Sequence, residues 1–254
     1  RQVIEPYGAV VVGEIGDSER GLELLEEYTG VPGRVQMSYV FDFLSGDSLP
    51  ANRVIEVFDN LHRLAPNSWP CWAMSNHDVV RHITRWSLSD QAAKAYATVM
   101  LCLKGSVCLY QGEELGLPEA EIAFADLRDP YGIEFWPEFK GRDGCRTPMV
   151  WDMGVNGGFS TSQPWLPVPH THLQRTVVSQ EADAQSMLHH YRWAIGLRRK
   201  HSALRHGDMT DMRADGPVLS FRRTDKHQSL MIRANLSDEE VAGLNPWQVQ
   251  IIEG

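Results

Sequence analysis

The sequence has no run of lysine or arginine long enough to track a phosphate backbone: 24 Lys and Arg are scattered among 33 Asp and Glu, for a net charge of −9. Nucleic acid and anionic membrane surfaces are therefore not expected as partners. Long apolar runs are missing too. Stretches such as Ala9–Val12 fall far short of the ~20 residues a membrane span needs, and the first residues do not read as a signal peptide. The chain opens on Arg1 rather than Met, so it is expected to continue upstream. Cys-x-x-Cys pairs and Cys/His zinc spacings are also lacking. Cys71, Cys102, Cys108 and Cys145 read as buried free thiols of a reducing compartment, with a Cys102 to Cys108 disulfide as the alternative. The expected location is the cytoplasm.

What is present is ample material for a core: 254 residues, 43% hydrophobic, with Gly and Pro spread along the chain, the profile of a soluble globular protein. Short apolar runs alternate with helix-period segments, the sign of βα units around a parallel sheet. Strands are expected at Ala9–Gly13, Val35–Phe41, Pro70–Met74 and Val107–Tyr110. Helices are expected from about Ser18 to Tyr28, between Pro50 and Pro66 on the stripe Val54, Phe58, Leu61 and Leu64, and from the N-cap Ser89 to Gly105. Residues 111–178 keep neither period, and a loop that long is more often functional than idle. One helix is read from about Gln180 to Lys200. After it the period becomes two, with strands at Pro217–Arg223, Ser229–Asn235 and Trp247–Ile251. The expected division is 1–203, an α/β part with a long final loop, and 204–254, a small β-rich part.

Two carboxylates stand out by position. Glu14 directly follows the first strand and Asp78 closely follows the third, at the C-terminal ends where βα barrels carry their active sites. A pair of acids on one rim is what glycoside hydrolysis uses. The plainer reading of each is a helix cap or a solvated loop carboxylate.

Five segments in this order decide between those readings: Gly13-Glu14 after a Val run, Ser75-Asn76-His77-Asp78, the Tyr110–Gly116 segment YQGEELG, the Phe124–Tyr131 segment FADLRDPY, and the Gly141–Trp151 segment GRDGCRTPMVW. Together with the Leu188–Arg192 segment LHHYR, the chain resembles the α-amylase superfamily, in the branch that holds α-glucosidases and oligo-1,6-glucosidases. The resemblance implies a retaining mechanism without an organic cofactor or a metal. It makes Glu14 the general acid/base and Asp78 the carboxylate that binds sugar hydroxyls and stabilises the oxocarbenium-like transition state. It gives His77 a hydroxyl of the same glucose unit, and sets Arg142 or Arg146, with the preference on Arg142, at the far wall of the pocket. Arg81 reads equally as a family position or a structural ion pair. Trp136, Trp151 and Trp165 read as packing of the loop or as faces for a sugar ring. Glu113 and Glu114 read as a hydrogen-bonding device.

A retaining member has eight barrel strands, and its nucleophilic aspartate lies on the strand before the first one counted here. No Asp-x-x-Arg segment precedes Gly13. The expectation is therefore the C-terminal half of a (β/α)8 barrel, strands five to eight, followed by a small antiparallel β unit. It would be a fragment of an α-glucosidase acting on short α-linked glucosides and inactive alone. Its open barrel would be covered by the missing N-terminal half or by self-association. A transglucosylase, sucrose isomerase or trehalose synthase is the alternative within the superfamily, and a non-catalytic assembly or binding fragment the alternative outside it. A metal-dependent hydrolase built on His77 and Asp78 would need a His-x-His pair on a strand, and none of the expected strands carries one.

Overall fold

The computed structural model describes residues 5–17 and 19–254. Its first half is a parallel sheet of β1 (Val12–Gly13), β2 (Met37–Val40), β3 (Pro70–Trp72) and β4 (Ser106–Val107), adjacent in that order. Between them run α1 (Gly21–Thr29), α2 (Ala51–Leu64), α3 (His82–Arg85) and α4 (Asp90–Cys102). Side chains alternate across each strand. Val40 and Trp72, in register on β2 and β3, point to the helices and are buried. Trp72 lies 4.9 Å, ring centre to ring centre, from both Phe43 and Phe58, and its indole N–H donates to Lys104 O at 2.6 Å. The α2 stripe of Val54, Val57, Phe58 and Leu61 closes over this layer. Among the described residues no helix covers the opposite face of the sheet, and there Val10 and Val12 are 63% and 45% exposed.

The helix ends follow their local chemistry. Ser89 caps α4 by accepting from Ala92 N at 3.2 Å. Gly105 turns the chain from α4 into β4 at φ +122°, where a Cβ would sit 2.7 Å from Pro70 O, so only glycine serves.

After β4 the chain winds through short turns and α5 (Pro130–Glu134), α6 (His170–Leu173), α7 (Val177–Glu181), α8 (Met187–Lys200) and α9 (Ser202–His206). An antiparallel meander follows: β5 (Asp208–Asp215), β6 (Val218–Thr224), β7 (Ser229–Asn235) and β8 (Val249–Glu253). Leu219, Phe221, Leu230, Ile232 and Ala234 form its buried face and join α2, α4 and Trp72 in one apolar cluster. Arg223 crosses this seam. It is fully buried, donating to Cys102 O at 2.5 Å and Gly207 O at 2.9 Å, and burial lowers its pKa to about 10.

Several sequence expectations change in detail. The first strand pairs only at Val12–Gly13, not from Ala9. Ser18, the expected start of the first helix, lies outside the described residues, and α1 begins at Gly21. The single helix from Gln180 to Lys200 is two, because Ser186 breaks the run and caps α8 by accepting from His189 N. β5 was not foreseen: only Met209 on it is buried, so it shows no alternation of apolar and polar residues, and a bulge near Asp211 shifts its register. All four cysteines are free. Among the described residues no helix is long and apolar enough to cross a membrane.

If the meander and the helices share one core, a cavity in the first must weaken the second. Phe221→Ala should cost about 3–5 kcal/mol. Hydrogen exchange should then lose protection in α2 and α4 together with β6; loss confined to the meander would show two separate cores.

Candidate active site

The rim above the C-terminal ends of β1, β3 and β4 collects the polar side chains. After β3 the loop is set by two local devices. Ser75 Oγ accepts from His82 N at 2.9 Å and pairs with His82 Nδ1 at 2.9 Å, while Asn76 Oδ1 accepts from the backbone of Asp78 and Val79 at 2.9 and 3.1 Å. Burial lowers the His82 pKa to about 3, so this ring is neutral and serves the loop rather than proton transfer. The turn leaves His77 and Asp78 exposed on the rim.

Two arginines from the distant loop then meet Asp78. Arg142 Nη1 donates to Asp78 Oδ1 at 2.8 Å, and Arg146 Nη2 donates to the same oxygen at 3.0 Å. Arg146 Nε also donates to His77 O at 2.7 Å. The other carboxylate oxygen, Oδ2, lies 3.4 Å from His77 Nε2. Four of the five expected site residues thus form one cluster, and both arginines, not Arg142 alone, reach the carboxylate. Glu14 stands apart from that cluster, exposed at the end of β1. With β2 between them, β1 and β3 lie about 10 Å apart at ~4.8 Å per strand. Tyr39, on the intervening strand β2, pairs its hydroxyl with Cys108 Sγ at 3.0 Å. That bond, and then burial, raise its pKa.

Asp129 lies within the FADLRDPY segment but was assigned no role from the sequence. Its buried carboxylate takes Arg142 Nε and Nη2, each at 2.9 Å, in a two-pronged pair. Arg142 holds the Asp129 carboxyl well below the usual range and is itself held above its own. The one available signal, an Asp before Pro130, marks a helix start, so it pointed to a cap.

Other candidates take structural places. Arg81 is buried and donates to Gln111 O at 2.8 Å and Cys145 O at 2.9 Å, pinning the loop after β3 to the loop after β4. Trp136 packs on Phe124 and beside the Ala120, Ile122, Leu127 and Leu166 cluster. Trp151 and Trp165 are exposed and line an open cavity of about 590 Å³ with Arg146, Glu114 and Phe159. Among the described residues no group of three or more His, Cys, Asp or Glu is placed to hold a metal ion.

The model for the α-amylase catalytic domain matches residues 2–207. The chain belongs to the α-amylase family. A probable α-glucosidase of Rhizobium meliloti (strain 1021) is 49% identical over 244 residues, 94% of this chain and 44% of that protein. An oligo-1,6-glucosidase of Heyndrickxia coagulans is 30% identical over 95% of this chain and 50% of its own length. The crystal structure of an α-glucosyl transfer enzyme, XgtA, matches with a TM-score of 0.89 at 40% identity, covering 98% of this chain and 51% of that one. The chain spans about half the length of the curated relatives it matches. In this α-amylase-family chain the parallel sheet is the second half of a (β/α)8 barrel, strands five to eight, and the antiparallel sheet follows it.

One buried acid at this rim has a measurable consequence. Glu113 takes Tyr191 Oη–H at 2.9 Å and Tyr110 N–H at 3.3 Å, and burial nonetheless lifts its carboxyl from 4.5 to about 7. Between those values the folded state keeps a proton that the unfolded chain has released. This contribution is therefore full below pH 4.5 and is lost as pH rises through about 7. Glu113→Gln should flatten the fall in unfolding free energy between pH 5 and 7.5, a change on the order of 2 kcal/mol by urea titration. An unchanged pH slope would refute the assignment.

Proposed function

We propose that this chain is the acid/base-bearing half of a retaining α-glucosidase that cleaves short α-linked glucosides. The observation that carries the reading is the cluster of Asp78, Arg142, Arg146 and His77 on the same rim as Glu14. Asp78 offers negative charge to the cationic sugar of the transition state. Its Oδ2, turned toward His77, is the oxygen suited to a glucose hydroxyl, and the two ring nitrogens of His77 offer hydrogen-bonding groups beside it. Glu14 protonates the departing glycosidic oxygen and later takes the proton of the attacking water. The two arginines close the side of the pocket away from Glu14, which favours a chain-end glucose.

The covalent step needs an aspartate on the barrel strand before β1. On this reading it comes from another four strands of the same protein, and the 254-residue chain alone does not turn over. Those strands are the partner proposed for the bare face of the sheet, in preference to a second copy of this chain. We divide the chain into 1–203, the barrel portion, and 204–254, the appended β unit. Four unpaired thiols support a cytoplasmic location.

A second reading is glucosyl transfer, in which a sugar or another alcohol replaces water as acceptor. It is favoured by the 40% identity to XgtA. Chromatography of the products from maltose, isomaltose and sucrose separates the two, since hydrolysis releases glucose while transfer builds new glucosides.

The role of Glu14 is tested in the protein carrying all eight strands. Glu14→Gln should reduce kcat on isomaltose by about 10²–10⁴-fold and act far less on an aryl glucoside whose leaving group needs no proton. Near-normal turnover of isomaltose would sink the assignment. The same experiment on the isolated chain should give no turnover of either substrate.

A further inference from the structure

We infer that Asp129 is a positioning residue for the sugar site: by gripping one edge of the Arg142 guanidinium it sets where the other edge meets Asp78. The inference rests on the reading of Asp78 as a sugar-binding carboxylate and adds a residue to that site.

The geometry of a guanidinium is the reason. Its nitrogens lie in one plane, so fixing two of them fixes the third. Nε and Nη2 of Arg142 are each 2.9 Å from the Asp129 carboxylate, and Nη1, the remaining nitrogen, is 2.8 Å from Asp78. A free arginine side chain gives up about 2 kcal/mol of rotamer entropy to hold one pose, and the fork with Asp129 makes that ordering independent of substrate. The Tyr131 ring supports the same guanidinium, 5.3 Å from its centre. Arg146 differs: among the described residues its only salt bridge is to Asp78.

Asp129 is itself framed. The backbone N–H groups of Arg128 and Asp129 donate to the buried Asp143 Oδ2 at 2.6 and 2.8 Å, and Arg142 N donates to Asp129 Oδ2 at 2.8 Å. Gly132 and Gly141 let the two loop segments touch backbone to backbone. A Cβ on Gly132 would lie 2.9 Å from Gly141 Cα, and one on Gly141 would lie 2.8 Å from Gly132 Cα. A helix cap explains Asp129 less well. Its bond to Tyr131 N is 3.4 Å, longer than any it makes to Arg142, and α5 is only five residues long.

The test is a double-mutant cycle in the eight-stranded protein with p-nitrophenyl α-glucoside, using Asp129→Asn, Arg142→Lys and the pair. Asp129→Asn should lower kcat/KM by about 30-fold, mainly through KM, and by less than about 3-fold when Arg142→Lys is already present. Equal losses in both backgrounds, or a loss under 3-fold with Arg142 intact, would overturn the inference. Should the Asn variant fail to fold, Asp129→Glu keeps the charge one methylene further out and is read in the same two backgrounds by the same limits. A crystal structure of the variant gives a readout that needs no turnover. Arg142 should leave Asp78 while Arg146 stays on it; an Arg142 that does not move would overturn the inference even in a protein that hydrolyses no glucoside. Absence of wild-type hydrolysis would count instead against the glucosidase reading.

Discussion

One carboxylate oxygen, Asp78 Oδ1, joins the end of β3 to two arginines 64 and 68 residues further along the chain. The order of the whole rim depends on this convergence. The loop between β4 and α8 has little regular structure to hold it; beside its small apolar clusters, its path is fixed by charged and carbonyl contacts, Arg142 and Arg146 on Asp78 and Arg81 on Gln111 O, Cys145 O and the Tyr110 ring. Such contacts gain most where water is partly excluded, and Asp129 and Asp143 provide that on the inner side. The rim is thus a polar frame on an apolar base, the base being Trp72 of β3 with Phe58 of α2 and Phe43 from the segment after β2 packed on it.

How much of this could be read from residues alone follows from range. β2 and β3 were legible because each is a short apolar run bounded by turn residues, and α2 because its apolar stripe repeats at helical spacing over four turns. β5 was not, since a strand with one buried residue shows no period at all, and its place is set by hydrogen bonds to β6. The split between α7 and α8 hung on a single serine whose capping role competes with a continuous apolar pattern. For the site, His77, Asp78, Arg142 and Arg146 were visible through their motifs, though their mutual contacts were not. Asp129 sat in the FADLRDPY motif, but its partner stayed hidden because a pair closing over thirteen residues of irregular loop leaves no periodic trace.

The meander contributes to the site indirectly. Its buried face completes the layer over α2 and α4, and those helices in turn back Trp72 at the end of β3, from which the loop bearing Asp78 departs. Arg223 shows the cost of that union: a guanidinium deep in the seam, its two Nη atoms on carbonyls and its buried Nε without a partner, with burial lowering its affinity for the proton. A surface left to water on the outer side of the barrel helices would not need such a bridge.

The bare face of the parallel sheet has a kinetic meaning of its own. Among the described residues β1 and β4 each end the sheet with one edge unpaired, and on the proposed reading both edges are met by the same further set of strands. Docking at one edge turns docking at the other into an intramolecular event, governed by effective concentration rather than by encounter. A barrel split at this point would therefore assemble as a clasp with two catches, in which either catch alone is weak and the pair is long-lived.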